Sequence, residues 1–139
     1  MQANQSRYVS ALYLRLSKDD DKKEESSSIE TQRKMLRAYA KDNGFLVYDE
    51  YADDGWSGTN FDRPAFKRMI QDIEDKKVNM VITKDLSRLG REYITTGQYT
   101  EIYFPSKAVR YIAINDGYDS NSQFNDIVPF KNVINEILA

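Results

Sequence analysis

The residues best suited to chemistry are a guanidinium and a hydroxyl two positions apart, Arg15 and Ser17, in the stretch Tyr13-Leu14-Arg15-Leu16-Ser17. Leu12, Leu14 and Leu16 alternate with Tyr13, Arg15 and Ser17, the period of two that marks a strand. Arg15 and Ser17 therefore share a face at the strand's carboxyl end, where an open α/β sheet binds its ligands. A guanidinium in that place can hold an anion beside a nucleophilic hydroxyl. Taken alone, the stretch reads equally well as a strand end with a surface arginine and a serine that opens a loop. Arg63, Arg88 and Arg91 are further anion-binding candidates from distant parts of the chain, and Gln32 and Arg33 lie in the first turns of a helix.

The chain has no histidine and no cysteine. A Ser-His-Asp triad, thiolate chemistry and the usual His- or Cys-based zinc site are all excluded, and no cofactor or metal is expected. A serine hydroxyl is a weak nucleophile and must be activated; the activators on offer here are cations. Reaction at an anion held beside that hydroxyl would depend mainly on positioning and on stabilising negative charge. Guanidinium forks with permanent charge suit that task. Arginine itself is a poor base, with a pKa above about 12, so the acceptor of the serine proton stays open between arginine, water and a substrate oxygen.

These side chains need elements to position them. Residues 11–16 read as the first strand, followed by a charged loop from Lys18 to Glu25 with Asp19, Asp20 and Asp21. Ser27 and Glu30 have capping-box spacing before a helix from about Ile29 to Asn43, with Ile29, Leu36 and Tyr39/Ala40 on one face and Gly44 as its left-handed stop. Gln32 and Arg33 are read as solvent-facing unless the helix start meets the Ser17 loop. Phe45 to Tyr51 is a second strand, and Asp53 to Asn60 a loop of turn residues. Asp62 is expected to cap a helix with Pro64 in its first turn and Phe66, Met69/Ile70 and Ile73 buried. Asn79 to Thr83 is a short strand leading into Lys84-Asp85-Leu86-Ser87-Arg88-Leu89-Gly90-Arg91; a helix starting there puts Arg88 and Arg91 on one face. The next helix is expected to run to about Phe104, before Pro105. Arg110 to Ile114 is the last strand, Asn115 to Gln123 a polar loop, and apolar residues recur at helical spacing from about Asn125 to the last residue. Alternating strands and helices argue for an α/β fold with a mostly parallel central sheet. The strand ends carrying Ser17 and the Arg88 segment then lie on one edge.

The 139 residues make one ordinary domain, with 40% hydrophobic and 30% charged residues. No apolar run approaches the roughly 20 residues of a membrane span, and no signal-peptide core precedes the first strand; a cytoplasmic location and no membrane partner are expected. The net charge of −2, from 20 basic and 22 acidic residues, is unlike a stand-alone nucleic-acid binder.

Four motifs together resemble the catalytic domain of serine recombinases, the resolvase/invertase family. They are Tyr13-x-Arg15-x-Ser17, Ser28-x-x-x-Gln32-Arg33, Gly58-Thr59-x-x-Asp62-Arg63-Pro64, and Ser87-Arg88-Leu89-Gly90-Arg91. The likeness spans nearly the whole chain, and the wording from Lys84 to Arg91 with the longer loop after Ser17 looks most like the TnpX-like transposases. The resemblance implies a three-layer resolvase-like fold over residues 1–139, ending in the start of a long C-terminal dimerisation helix. It implies that Ser17 attacks a DNA phosphodiester and becomes joined to the 5′ end, with no external energy source. Arg15, Arg63, Arg88 and Arg91 would surround the phosphate, Arg63 further out, and Gln32 would order the surroundings of the nucleophile. It implies double-stranded recombination sites as substrate, homodimers that pair into a tetramer, and DNA-binding regions beyond this chain. Two positions depart from the family pattern: Ser87 stands where many smaller members carry an aspartate, and the loop after Ser17 is acidic and longer where they carry a glutamine.

Two other readings follow from the same residues. Asp19, Asp20, Asp21 and Asp85 could hold Mg²⁺ and a phosphoryl group in a receiver-like signalling domain, although the lysine expected at the last strand's end is absent. Alternatively, the fold could serve as an assembly module without chemistry, against which the intact set of Arg15, Ser17, Arg88 and Arg91 argues.

Overall fold

The computed structural model describes residues 7–17 and 28–121. The acidic loop after Ser17 and the helix expected from Asn125 lie outside them.

The described elements are β1 (Val9–Leu16), α1 (Ile29–Asp42), β2 (Leu46–Asp54), α2 (Pro64–Glu74), β3 (Met80–Thr83), α3 (Leu86–Leu89), α4 (Tyr93–Gln98), α5 (Phe104–Ser106), β4 (Arg110–Ala113) and β5 (Tyr118–Asp119). They form one sheet in the order β2-β1-β3-β4-β5, parallel except for β5. β1 lies inside the sheet and is buried along nearly its whole length, as a strand covered on both faces must be. Its alternation sorts the core. Leu12 and Leu14 join Met80, Ile82 and Ile112 under Leu36 and Ala40 of α1. Ala11 and Tyr13 join Val81 and Tyr111 under Phe66, Met69 and Ile73 of α2, Leu89 of α3 and Phe104 of α5. The result is the three-layer α/β arrangement, with the mostly parallel sheet in the middle.

Several local expectations are corrected. β1 begins at Val9 and β2 extends to Asp54, so Asp53 and Asp54 belong to a strand rather than a turn. The cap of α1 is Ser28, whose Oγ accepts the Thr31 N–H at 3.0 Å; Glu30 instead pairs with Arg33. Gly44 adopts the left-handed conformation expected of it, with φ of 73°. Asp62 does not cap α2: it is exposed and pairs with Lys67. The N–H groups of Ala65 and Phe66 donate to the Asp53 carboxylate of the neighbouring strand, at 2.9 and 3.0 Å. α3 is a single turn ending at Gly90, so Arg91 lies outside it and shares no helical face with Arg88. The helical run begun at α4 does not stop before Pro105. A widened π turn over Tyr99–Tyr103 carries it to Ser106, with Pro105 in the first turn of α5, where no N–H is needed. The polar loop after β4 contains β5, which pairs antiparallel with Ile112 and Ala113.

Candidate active site

β1 and β3 are parallel neighbours on which the strand order turns outward in opposite directions, β2 on one side and β4 on the other. The carboxyl ends of such a pair form the crevice where doubly wound sheets place ligands. Ser17 follows β1 and is buried; Asp85 and α3 follow β3. The expected juxtaposition of these two strand ends is therefore present.

Arg88 reaches across it. Its Nη1 donates to the Arg15 carbonyl at 3.3 Å, two residues before Ser17. The same carbonyl accepts from Gln32 Nε2 at 3.0 Å, and the Arg15 N–H donates to Gln32 Oε1 at 3.2 Å. β1 and β3 pair only as far as Leu12 and Ile82. Beyond that point the Gln32 amide takes the place of a strand, satisfying the N–H and C=O of one residue together. Gln32 is thus fully buried rather than solvent-facing.

Arg15 and Arg63 are both fully buried. Arg15 donates from Nε to the Arg88 carbonyl at 3.2 Å, from Nη1 to Trp56 at 2.9 Å and from Nη2 to Ser87 at 2.5 Å. Arg63 donates from Nη2 to the Leu89 carbonyl at 2.6 Å, from Nε to Asn60 at 2.6 Å, and from Nη1 to Tyr13 Oη at 2.7 Å and to Arg88 at 3.4 Å. A one-turn helix leaves its carbonyls without intrahelical partners. Here two guanidinium groups, one from β1 and one from the start of α2, collect the carbonyls of Ser87, Arg88 and Leu89. Arg63 sits among the rings of Tyr13, Phe61 and Phe66, its Cζ 5.5, 4.7 and 4.9 Å from their centroids. Tyr13 Oη donates to Asp53 Oδ2 at 2.7 Å. Burial pushes the Tyr13 phenol far above its ordinary pKa, so it keeps the proton that it gives to Asp53.

The segment Trp56 to Gly58 closes over Arg15. Besides the Trp56 carbonyl, the Gly58 carbonyl accepts the Arg91 N–H at 2.8 Å. A Cβ on Gly58 would stand 2.8 Å from Arg91 Cγ and 2.9 Å from Arg15 Nη2, so a larger residue there would have to displace one arginine side chain or the other. Arg91 is exposed.

The structure thus brings Arg15, Gln32, Arg63 and Arg88 into one hydrogen-bonded cluster at the end of β1, with Arg91 at its solvent side. Sequence reasoning missed Tyr13 and Asp53 as members. Asp53 had a signal: it continues the alternation of β2, two residues after buried Tyr51, and is itself buried. Among the described residues no group of three or more acidic side chains is placed to hold a metal, and no helix is long and apolar enough to cross a membrane.

Residues 10–137 match the sequence model of the family described as Resolvase, N terminal domain. The chain belongs to the resolvase family. The N-terminal catalytic domain of TP901-1 integrase superposes on this resolvase domain with a TM-score of 0.80, at 31% identity over 94% of this chain and 93% of that one. A resolvase family site-specific recombinase from Streptococcus pneumoniae gives 0.72, at 31% identity over 94% and 87%. A putative DNA recombinase of Bacillus subtilis (strain 168) is 34% identical over 82 residues, 59% of this chain and 16% of that protein. The resolvase domain is a serine recombinase catalytic domain, of a family that cleaves and rejoins DNA.

Proposed function

We propose that the domain exchanges DNA strands by transferring a phosphodiester to Ser17. As the bond from Ser17 Oγ to phosphorus forms, the bond from phosphorus to the 3′ oxygen breaks. Ser17 retains the 5′ phosphate and the 3′ oxygen leaves with a proton. Rejoining reverses the step with a new 3′ hydroxyl. One ester replaces another, so no external energy source is required.

The observation that carries this reading is the Arg88 guanidinium bonded to the Arg15 carbonyl, at the junction of β1 and β3 beside Ser17. Exposed Arg91 at the cluster's outer wall meets an incoming phosphate first, and Arg88 at its inner wall receives the phosphate beside Ser17. Arg15 and Arg63 hold the turn that carries Arg88, and Arg15 touches the phosphate only if the Trp56–Gly58 segment moves aside. Gln32 fixes the strand end before the nucleophile. Loss of one preorganised transition-state donor typically costs roughly a hundred- to thousand-fold in rate, so Arg88→Lys, which removes the fork, falls in that range.

Residues 1–139 constitute the catalytic domain of a longer recombinase acting in the cytoplasm, of the TnpX-like transposase type. Its specific DNA contacts lie in other regions. The net charge of −2 supports this division, since attraction to the phosphate backbone must then come from elsewhere. Homodimers pair into a tetramer so that both duplexes are cut together.

The test uses the protein at its natural full length and its own recombination-site DNA, nicked to trap the intermediate. The wild type gives a covalent protein–DNA adduct; Ser17→Ala binds the site and gives none. An adduct that persists in Ser17→Ala removes the serine mechanism, and none in the wild type favours an assembly module without chemistry.

A further inference from the structure

Asp85 stands between the end of β3 and the first residue of α3, with extended backbone. One of its oxygens, Oδ1, accepts from Ser87 Oγ at 2.5 Å and from the Arg88 N–H at 3.2 Å, and lies 3.9 Å from Arg88 Nε. The Asp85 side chain is 22% exposed and that of Arg88 6%, so the attraction between their charges is only partly screened. The backbone beneath is fixed. The Asp85 carbonyl accepts from Thr83 Oγ1 at 2.8 Å, and that hydroxyl rests 2.6 Å from Tyr111 Oη. The next N–H, of Leu86, donates to Asp116 Oδ2 at 2.6 Å.

We propose that Asp85 is the carboxylate that positions the Arg88 guanidinium for phosphoryl transfer, held in place by the Ser87 hydroxyl. The inference rests on the serine-transfer reading above and deepens it. The separation of 3.9 Å is beyond direct hydrogen-bond length. Asp85 therefore acts through charge, drawing one side of the guanidinium toward the turn and turning Nη1 to the Arg15 carbonyl. The ordinary explanation is that Asp85 only caps a short helix. The two differ in what they require. A cap needs an oxygen, which asparagine supplies as well as aspartate; positioning needs the negative charge. A carboxylate at residue 87 would restore that charge about one hydrogen-bond length away, where the amide of an asparagine at residue 85 can donate to it.

The experiment measures single-turnover adduct formation on saturating nicked site DNA, with the full-length protein, for wild type, Asp85→Asn and Asp85→Asn/Ser87→Asp. Melting temperature and DNA affinity are measured on the same samples. Asp85→Asn is expected to melt and bind as the wild type does but to form adduct about a hundredfold more slowly, the effect of a misplaced catalytic group. The double variant is expected to regain most of the rate. Wild-type rates in Asp85→Asn overturn the inference, as does a slow single variant that the relocated charge does not rescue. If the wild type itself forms no adduct, the transfer reading fails and this one with it; if the wild type reacts and Asp85→Asn matches it, only this one fails.

Discussion

Arg63 has no exposed surface, and its guanidinium touches the Asn60, Arg88 and Leu89 carbonyls and the Tyr13 hydroxyl. Each buried polar group left without a partner costs about 1–3 kcal/mol. Arg63→Met fills similar space and strands several of them, so unfolding in urea should show a loss of roughly 3 kcal/mol or more. A residue serving the phosphate alone would leave stability unchanged while cleavage fell. At this scale the sequence was legible where chemistry needs a rare pattern: Arg15 with Ser17, and Arg88 near Arg91. It was not legible where the partner is a backbone carbonyl, because every residue carries one. Nothing in the residue types says that Arg15 and Arg63 grip Ser87, Arg88 and Leu89, or that Tyr13 and Asp53 stand behind Arg63.

Glu50 on β2 joins the outer strand to α1. It accepts from Arg33 Nε at 2.8 Å and from Arg37, and the Arg37 hydrogen bond, followed by that of Arg33, holds its pKa below the usual glutamate value. A carboxylate whose pKa is lower folded than unfolded contributes stability above the unfolded pKa, and that contribution is lost as pH falls through the folded one. Glu50→Gln should therefore melt lower than the wild type at neutral pH, by about 1 kcal/mol or less for so exposed a link. The two melting curves should converge as the pH drops below the carboxylate range; a gap that persists in acid would exclude the ion pairs as its cause. Element types in the described residues were readable from periodicity, and most strand and helix boundaries fell within a residue of those observed; the larger misses have physical reasons. Asp53 is polar yet continues β2 because α2 needs its oxygens. Arg88 and Arg91 are three apart but not on one helix, because the chain turns at Gly90. Pro105 fails to end its helix because a π turn precedes it.

β1 is hydrogen-bonded on both sides, closed at its far end by Gln32 and covered by both helical layers. Amide exchange should be slowest in β1 and β3, and faster in β2, which pairs on one side only among the described residues and whose Leu46, Val47 and Tyr48 are exposed. Equal protection across the sheet would contradict that ranking. The mostly parallel α/β layering could be argued from the order of elements alone, whereas the antiparallel β5 could not, since its two residues sit within a polar stretch. The cluster also has a bearing on how the protein is made. Chains emerge from the ribosome amino end first, so Ser17 is synthesised some seventy residues ahead of the turn that carries Arg88. On the proposed mechanism, a growing polypeptide carries an ordinary serine until α3 has been made and packed against the end of β1.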